Sequence, residues 1–257
     1  MTHTRRDATW GGTLLGAMLL LAISAHGQVS QAFHRTVSLS PNGRVSLDNV
    51  NGNVEITGWD RAEVEIDAVK QARDQQRLDE ARIEVESSSD AVSIRTQYPH
   101  DHTNNNPASV QYTLHVPQSA RLDRINLVNG SLTVQKFVGE VTANLVNGTA
   151  HIGGPIGEAN VSAVNGGIEA NYTSLANVRQ IKFKSVNGRV QLSLPESPNA
   201  DVNASTVNGS IQCDFPLTVQ GSFIGHKLSG TLGSGGTHIE LSNVNGSIHI
   251  AAERGSL

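Results

Sequence analysis

The residues best suited to hold a metal lie in a polar loop, Tyr98 to Pro107, which carries His100-Asp101-His102. Imidazole and carboxylate are good zinc or copper ligands. Two histidines one residue apart supply only part of a coordination sphere, so the segment reads as a solvated loop and the three residues are weak metal candidates. A second set, His151, Glu169, Gln191 and His249, shares one phase of a repeat that runs through the C-terminal half. Stacked on one face, these residues read as a surface polar column, with His151 and Glu169 as a weak ligand pair and His249 several repeats away. The acids Glu140, Glu158, Glu169, Asp201, Asp214 and Glu240 fall at different phases of the repeat. Sugar cleavage needs carboxylates clustered around one bond. Aromatic residues are only 4% of the chain, too few for the platforms of a polysaccharide groove. Nor does the chain contain a nucleophile elbow, a phosphate loop or a metalloprotease motif. The residues point to no enzyme and no cofactor.

The elements that must position these groups announce themselves through a tripeptide. Val-Asn-Gly returns seven times, with corners at Asn51-Gly52, Asn129-Gly130, Asn147-Gly148, Asn165-Gly166, Asn187-Gly188, Asn208-Gly209 and Asn245-Gly246. A fixed period of this size signals stacked supersecondary units. Two residues after six of these glycines stand Leu132, Ala150, Ile168, Val190, Ile211 and Ile248; five before them stand Ile125, Ala143, Val161, Phe183, Ala204 and Leu241. Seven before them the column is apolar except at Asp123. The intervening positions are polar, as in Ser131, Thr149 and Ser210. Period-two alternation on both sides of a turn means strand, turn, strand, each with one buried face. Asn and Gly suit the turn because both tolerate positive φ.

Asn-Gly between alternating strands is also a signal for an antiparallel hairpin. The same residue class recurring every eighteen positions favours equivalent strands stacked in parallel. Successive corner glycines from Gly130 onward are 18, 18, 22, 21 and 37 residues apart, and the last gap holds a degenerate copy at Leu228-Ser229-Gly230. The fold class expected is all-β: a parallel β-solenoid of two-arm, roughly eighteen-residue coils with Asn-Gly corners, stacked at ~4.8 Å. Asparagines repeated at one corner could form a hydrogen-bonded ladder.

Residues 1–27 read as a secretory signal peptide, with Arg5 and Arg6, the apolar run Leu14–Ala22, and Ala25-His26-Gly27 as the cleavage site. Residues 28–120 form a less regular β region with a detached first coil around Asn51-Gly52 and a short helix over 71–82. Residues 121–257 are the coils. Cys213, the single cysteine, sits on an inward column and reads as a small buried hydrophobe. A net charge of −4 argues against nucleic acid or anionic lipid as partner. Nothing after the leader is apolar enough to cross a bilayer.

Three features together carry a family resemblance: Val50-Asn51-Gly52-Asn53-Val54-Glu55-Ile56-Thr57-Gly58-Trp59, the segment Tyr112-Thr113-Leu114-His115-Val116-Pro117 after a strand–helix–strand insert, and then the coils. The chain resembles a bacterial family of exported candidate adhesins, β-strand-repeat domains of unknown function. That resemblance implies an exported β-solenoid and supplies no catalytic residues. The expectation is a non-enzymatic envelope protein, in the periplasm or on the cell surface, binding an envelope protein or a surface ligand. The alternatives are a periplasmic accessory of envelope-stress signalling and a polysaccharide-acting β-helix enzyme.

Overall fold

Alternating side chains let one strand face bury against a core while the other meets water, and this pattern generates nearly all of the structure. The computed structural model describes residues 28–99, 107–154, 156–217, 219–221 and 225–253. Residues 1–27, expected to be a leader, and the loop bearing His100, Asp101 and His102 lie outside the described residues. Among the described residues the fold is all-β with one short helix, its strands in a ten-stranded and an eleven-stranded sheet.

In chain order, the first half contains β1 (Val29–Ser38), β2 (Arg44–Asn51), β3 (Val54–Trp59), β4 (Glu63–Ala72), α1 (Gln75–Glu80), β5 (Arg82–Ser87), β6 (Ala91–Gln97) and β7 (Ser109–Pro117). The helix is shorter than the expected 71–82. Gln71 and Ala72 are drawn into β4, where they pair with Ser30 and Val29 of β1, so cross-strand pairing overrides helix propensity there. Asp74 caps the helix by accepting the Arg77 N–H at 2.9 Å.

The repeats follow: β8 (Arg121–Asn129), β9 (Leu132–Gln135), β10 (Val141–Asn147), β11 (Ala150–Gly154), β12 (Ala159–Asn165), β13 (Ile168–Tyr172), β14 (Gln180–Asn187), β15 (Val190–Leu194), β16 (Ala200–Asn208), β17 (Ile211–Cys213), β18 (Val219–Gly221), β19 (His226–Leu232), β20 (Thr237–Asn245) and β21 (Ile248–Ala252). At each Asn-Gly the chain passes from the eleven-stranded sheet to the ten-stranded one. Equivalent strands pair in parallel: Val161 lies opposite Ala143, and Ile168 opposite Ala150. A hairpin at the corner would have paired each strand with its own sequel, which is not observed.

Three arrangements differ from the sequence reading. The last repeat is inserted: β20 lies between β14 and β16, and β21 between β15 and β17. The degenerate copy at Leu228–Gly230 is no corner, because it lies inside β19, which runs antiparallel to β16. Gly230 is there for space, since a Cβ would stand 2.6 Å from Leu217 Cδ2. The coil at Asn51-Gly52 is detached only in sequence; β2 and β3 stack directly on β8 and β9, with Asn51 opposite Asn129.

Asp123, the polar exception in an apolar column, is an extra residue. Val141 pairs with Leu122 and Ala143 with Ile125, a shift that places buried Leu122 in the column and leaves Asp123 on the exposed side of a bulge.

A further inward column, three residues before each corner glycine, escapes the sequence reading because its chemistry changes along the stack. Leu127, Leu145 and Ala163 are apolar there, whereas Asn49, Ser185, Thr206 and Asn243 are buried and polar. Each polar member donates to a corner carbonyl: Ser185 Oγ to Gly166 at 3.1 Å, Asn243 Nδ2 to Gly188 at 2.7 Å, Thr206 Oγ1 to Gly246 at 3.1 Å. Asn49 Nδ2 donates to Gly52 O at 3.1 Å and to Val110 O at 2.9 Å, while its carbonyl accepts from Thr96 Oγ1 at 2.9 Å. This network ties in β6 and β7, the coil that lacks an Asn-Gly.

Both ends of the stack change from parallel to antiparallel pairing. At one end β4 covers β7, β1 covers β4, and β5 covers β6. At the other, β19 covers β16 and β18 covers β19. Asp201 ties that second end: its carboxylate accepts from Thr231 Oγ1 at 2.7 Å and from the Gly236 N–H at 3.3 Å. The Thr231 hydrogen bond, then the Gly236 one, hold its pKa below the ordinary carboxylate range. A carboxylate with a depressed folded pKa stabilises fully above its unfolded value, about pH 4, and loses that contribution as pH falls through the lower folded value. Amide exchange in β19 should therefore accelerate in acid below about pH 4 more steeply in the wild-type chain than in Asp201→Asn. Identical acid profiles would show that Asp201 does not secure this end.

Candidate functional site

The corner asparagines do not use the positive φ that their pairing with glycine suggests. The described non-glycine residues with positive φ are Lys136 and Asn177, neither at a corner. Instead the asparagine side chains form a continuous ladder along the stack. Asn129 Nδ2 donates to Asn51 Oδ1 at 2.8 Å, Asn147 to Asn129 at 2.8 Å, Asn165 to Asn147 at 3.0 Å and Asn187 to Asn165 at 2.9 Å. Asn245 then donates to Asn187 at 2.8 Å and Asn208 to Asn245 at 3.0 Å, following spatial rather than sequence order. Every amide donates in the same direction.

Beside this ladder runs an apolar stripe. The valine of each Val-Asn-Gly points away from the core, since Leu127 and Leu145 before them point in. Among the described residues eight large hydrophobic side chains are exposed, and six are corner valines: Val128, Val146, Val164, Val186, Val207 and Val244. Their strands are adjacent, so six valines at ~4.8 Å spacing make a stripe roughly 25 Å long. The sequence held the signal, because a β-branched residue in an outward phase at every corner has no packing reason to recur.

The outer face of the ten-stranded sheet is polar. One row crosses all ten strands: His34, Asp67, Thr113, Glu55, Thr133, His151, Glu169, Gln191, His249 and Gln212. His151 Nδ1 and Glu169 Oε2 are 3.2 Å apart, as a surface column requires. His249 is nearer than the sequence order implies: it pairs directly with Gln191, because the last repeat is inserted. Gly153 leaves a shallow depression of about 330 Å³ there, lined by His151, Glu169, Asn171 and Gln191.

At the far end of the row His34, on β1, faces Asp67 on β4, with Nδ1 2.7 Å from Oδ1. The Asp67 hydrogen bond, together with the charges of Asp67 and Glu65, raises the His34 pKa. Donor atoms of His34, Glu65 and Asp67 all lie within 4.8 Å of one another. Nearby, Trp59 stacks on His115 at 5.2 Å and carries Arg61 4.7 Å above its ring. Sequence reading missed this cluster, since His34 meets the two acids only through the β1–β4 pairing.

The coil acids Glu140, Glu158, Glu169, Asp214 and Glu240 are dispersed, each with its own partner. Arg121 meets Glu140 at 3.3 Å, Arg179 meets Glu158, His151 meets Glu169, His249 meets Asp214 at 3.3 Å, and Lys182 meets Glu240 at 2.6 Å. The Lys182 ammonium holds the Glu240 carboxyl below its usual range. Cys213 is half-buried against the core, and burial pushes its thiol pKa up, away from reactivity.

Residues 140–251 match the family model described as Toastrack DUF4097. The match over this stretch supports the resemblance to an adhesin-like family of unknown function. Among solved structures, the chain is similar to a candidate cell adhesion protein from Clostridium sporogenes at 15% identity, over 87% of this chain and 100% of that one, with a TM-score of 0.45. A candidate lipid binding protein from Parabacteroides distasonis is similar at 12% identity, over 87% and 97% of the two chains, with a TM-score of 0.37. A candidate adhesin from Bacteroides fragilis is similar at 11%, with the same coverage and a TM-score of 0.37. No curated protein matches the chain. No described helix is long and apolar enough to cross a membrane.

Proposed function

We propose that the chain is an exported, non-enzymatic binding protein of adhesin type, a parallel β-solenoid that meets its partner with the corner bearing the valine stripe and the asparagine ladder. The observation that carries this reading is the stripe itself. Six valines, each 38–47% exposed, lie in line where a soluble surface has no need of them. Exposed contiguous apolar surface marks interaction sites. The ladder fixes the spacing of the stripe, so the surface is rigid before any partner arrives and loses little entropy on binding. Carboxylates dispersed among separate partners support a binding role over acid–base catalysis.

Two measurements test this. In intact producing cells, added protease should digest the protein, as for a surface-exposed adhesin; protection until the outer barrier is opened would move the reading to the periplasm. In an attachment assay, Val146→Lys with Val164→Lys should abolish adherence while leaving the thermal transition within a few degrees, because both side chains are exposed. Undiminished adherence would remove the stripe from the site.

A further inference from the structure

We propose that His34, Glu65 and Asp67 form a binding site for a divalent transition metal of the zinc class, one that staples the edge strand β1 to β4. The three side chains offer one imidazole nitrogen and two carboxylate oxygens, all within 4.8 Å of one another. They converge for a reason of register. Glu65 and Asp67 are two apart on β4 and therefore share its outer face, while Val64 and Ile66 fill the core. His34 stands directly opposite Asp67, and Thr36 opposite Glu65. Zinc with bonds of about 2.0–2.2 Å needs donors roughly 3.4 Å apart, so rotamer adjustment by about an ångström completes the set. With side-chain exposures of 61% for His34 and 44% for Asp67, that adjustment disturbs no packing.

The charge pattern separates this cluster from the acids that are already neutralised by a basic side chain. Asp48, Glu140, Glu158 and Glu240 each have an arginine or lysine against them. Among the described residues no lysine or arginine pairs with Glu65 or Asp67; the partner of Asp67 is His34. Arg61, in the turn before β4, is engaged by Glu63 and the Trp59 ring. Two carboxylates are thus left with one imidazole, a donor set that suits a cation. Imidazole selects a borderline metal over calcium or magnesium. On the neighbouring strand Thr113 and His115 face Asp67 and Glu65, and His115 Nδ1 is buried without a hydrogen-bond partner. The open coordination positions point to solvent.

The position gives the metal a structural task. β1 is the outermost strand of the ten-stranded sheet, and β4 is its one neighbour there among the described strands. A bond bridging the two strands locks an edge that otherwise presents free backbone groups. Metal that binds the folded chain alone also raises the melting temperature.

The test is titration of the full chain with Zn²⁺ alone, in competition with a chromogenic chelator. One site is expected, unaffected by an equal concentration of Ca²⁺. His34→Gln, Glu65→Gln and Asp67→Asn should each weaken it by about tenfold or more. Glu169→Gln, which alters a different histidine–carboxylate pair, should leave it unchanged, as should His100→Ala with His102→Ala. Zinc should also slow amide exchange in β1 but not in β17, a readout that a metal bound elsewhere would not give. The three variants change exposed side chains, so their zinc-free melting temperatures should stay near wild type. No binding, or binding of wild-type strength in Glu65→Gln and Asp67→Asn, overturns the proposal.

Discussion

Gly166→Ala is expected to destabilise the coil region by about 3–5 kcal/mol, enough to unfold a domain of ordinary stability. The reason is the closeness of neighbouring corners. A Cβ at this position would stand 1.9 Å from the Gly148 carbonyl oxygen and 2.6 Å from its carbon. Neither backbone can retreat. The Gly166 N–H donates to Asn187 O at 2.9 Å and the Gly148 N–H to Asn165 O at 3.0 Å, so each corner is pinned to the next. The φ of +156° adds strain for a residue with a side chain. Gly153→Ala is the control, since a Cβ there meets nothing within 4 Å; it should change stability by about 0.5 kcal/mol or less. Urea unfolding with equal m-values decides the matter. Equal midpoints for the two variants would mean that the corners can spread, contrary to the carbonyl contact.

The second large effect is on the inward columns. Ile168→Asp should cost about 5 kcal/mol or more, because Ile168 is 0% exposed and flanked by Ala150 and Val190, where a carboxylate finds no partner. Ile211→Asp should cost less. Ile211 is 9% exposed and lies on β17, the outermost strand at its end of the sheet, where water reaches an acid more easily. Ser210→Asp, on an exposed position next in sequence, should be nearly silent. Thermal unfolding of the three variants gives the order directly. A Ser210→Asp loss as large as that of Ile168→Asp would mean that inward and outward faces have been exchanged.

These effects also show where the chemistry of the candidate site originates. The asparagine ladder and the valine stripe are products of the same tripeptide, so one short repeat supplies the turn, the polar spine and the apolar stripe. The zinc-class cluster has a different origin. Glu65 and Asp67 share a face by simple alternation, but His34 reaches them only because β1 turns antiparallel onto β4. No spacing along the chain records that meeting.

The sequence by itself determined the period, the alternation and the corners, and hence which side chains enter the core. These are local properties: a two-residue repeat fixes the face of a strand wherever the strand is placed. It also determined that equivalent repeats stack in parallel, because the same residue class recurs in every inward column. Only the tertiary structure decided the order of stacking. Any repeat offers its neighbours the same apolar columns and the same asparagine, so local pattern does not distinguish a sequential stack from one with Asn245 set between Asn187 and Asn208. In the structure β19 lies along one edge of β16 and β20 along the other. The antiparallel ends, the bulge at Asp123 and the His34 cluster were settled at the same level, by long-range pairing energies that compete with local preference and win.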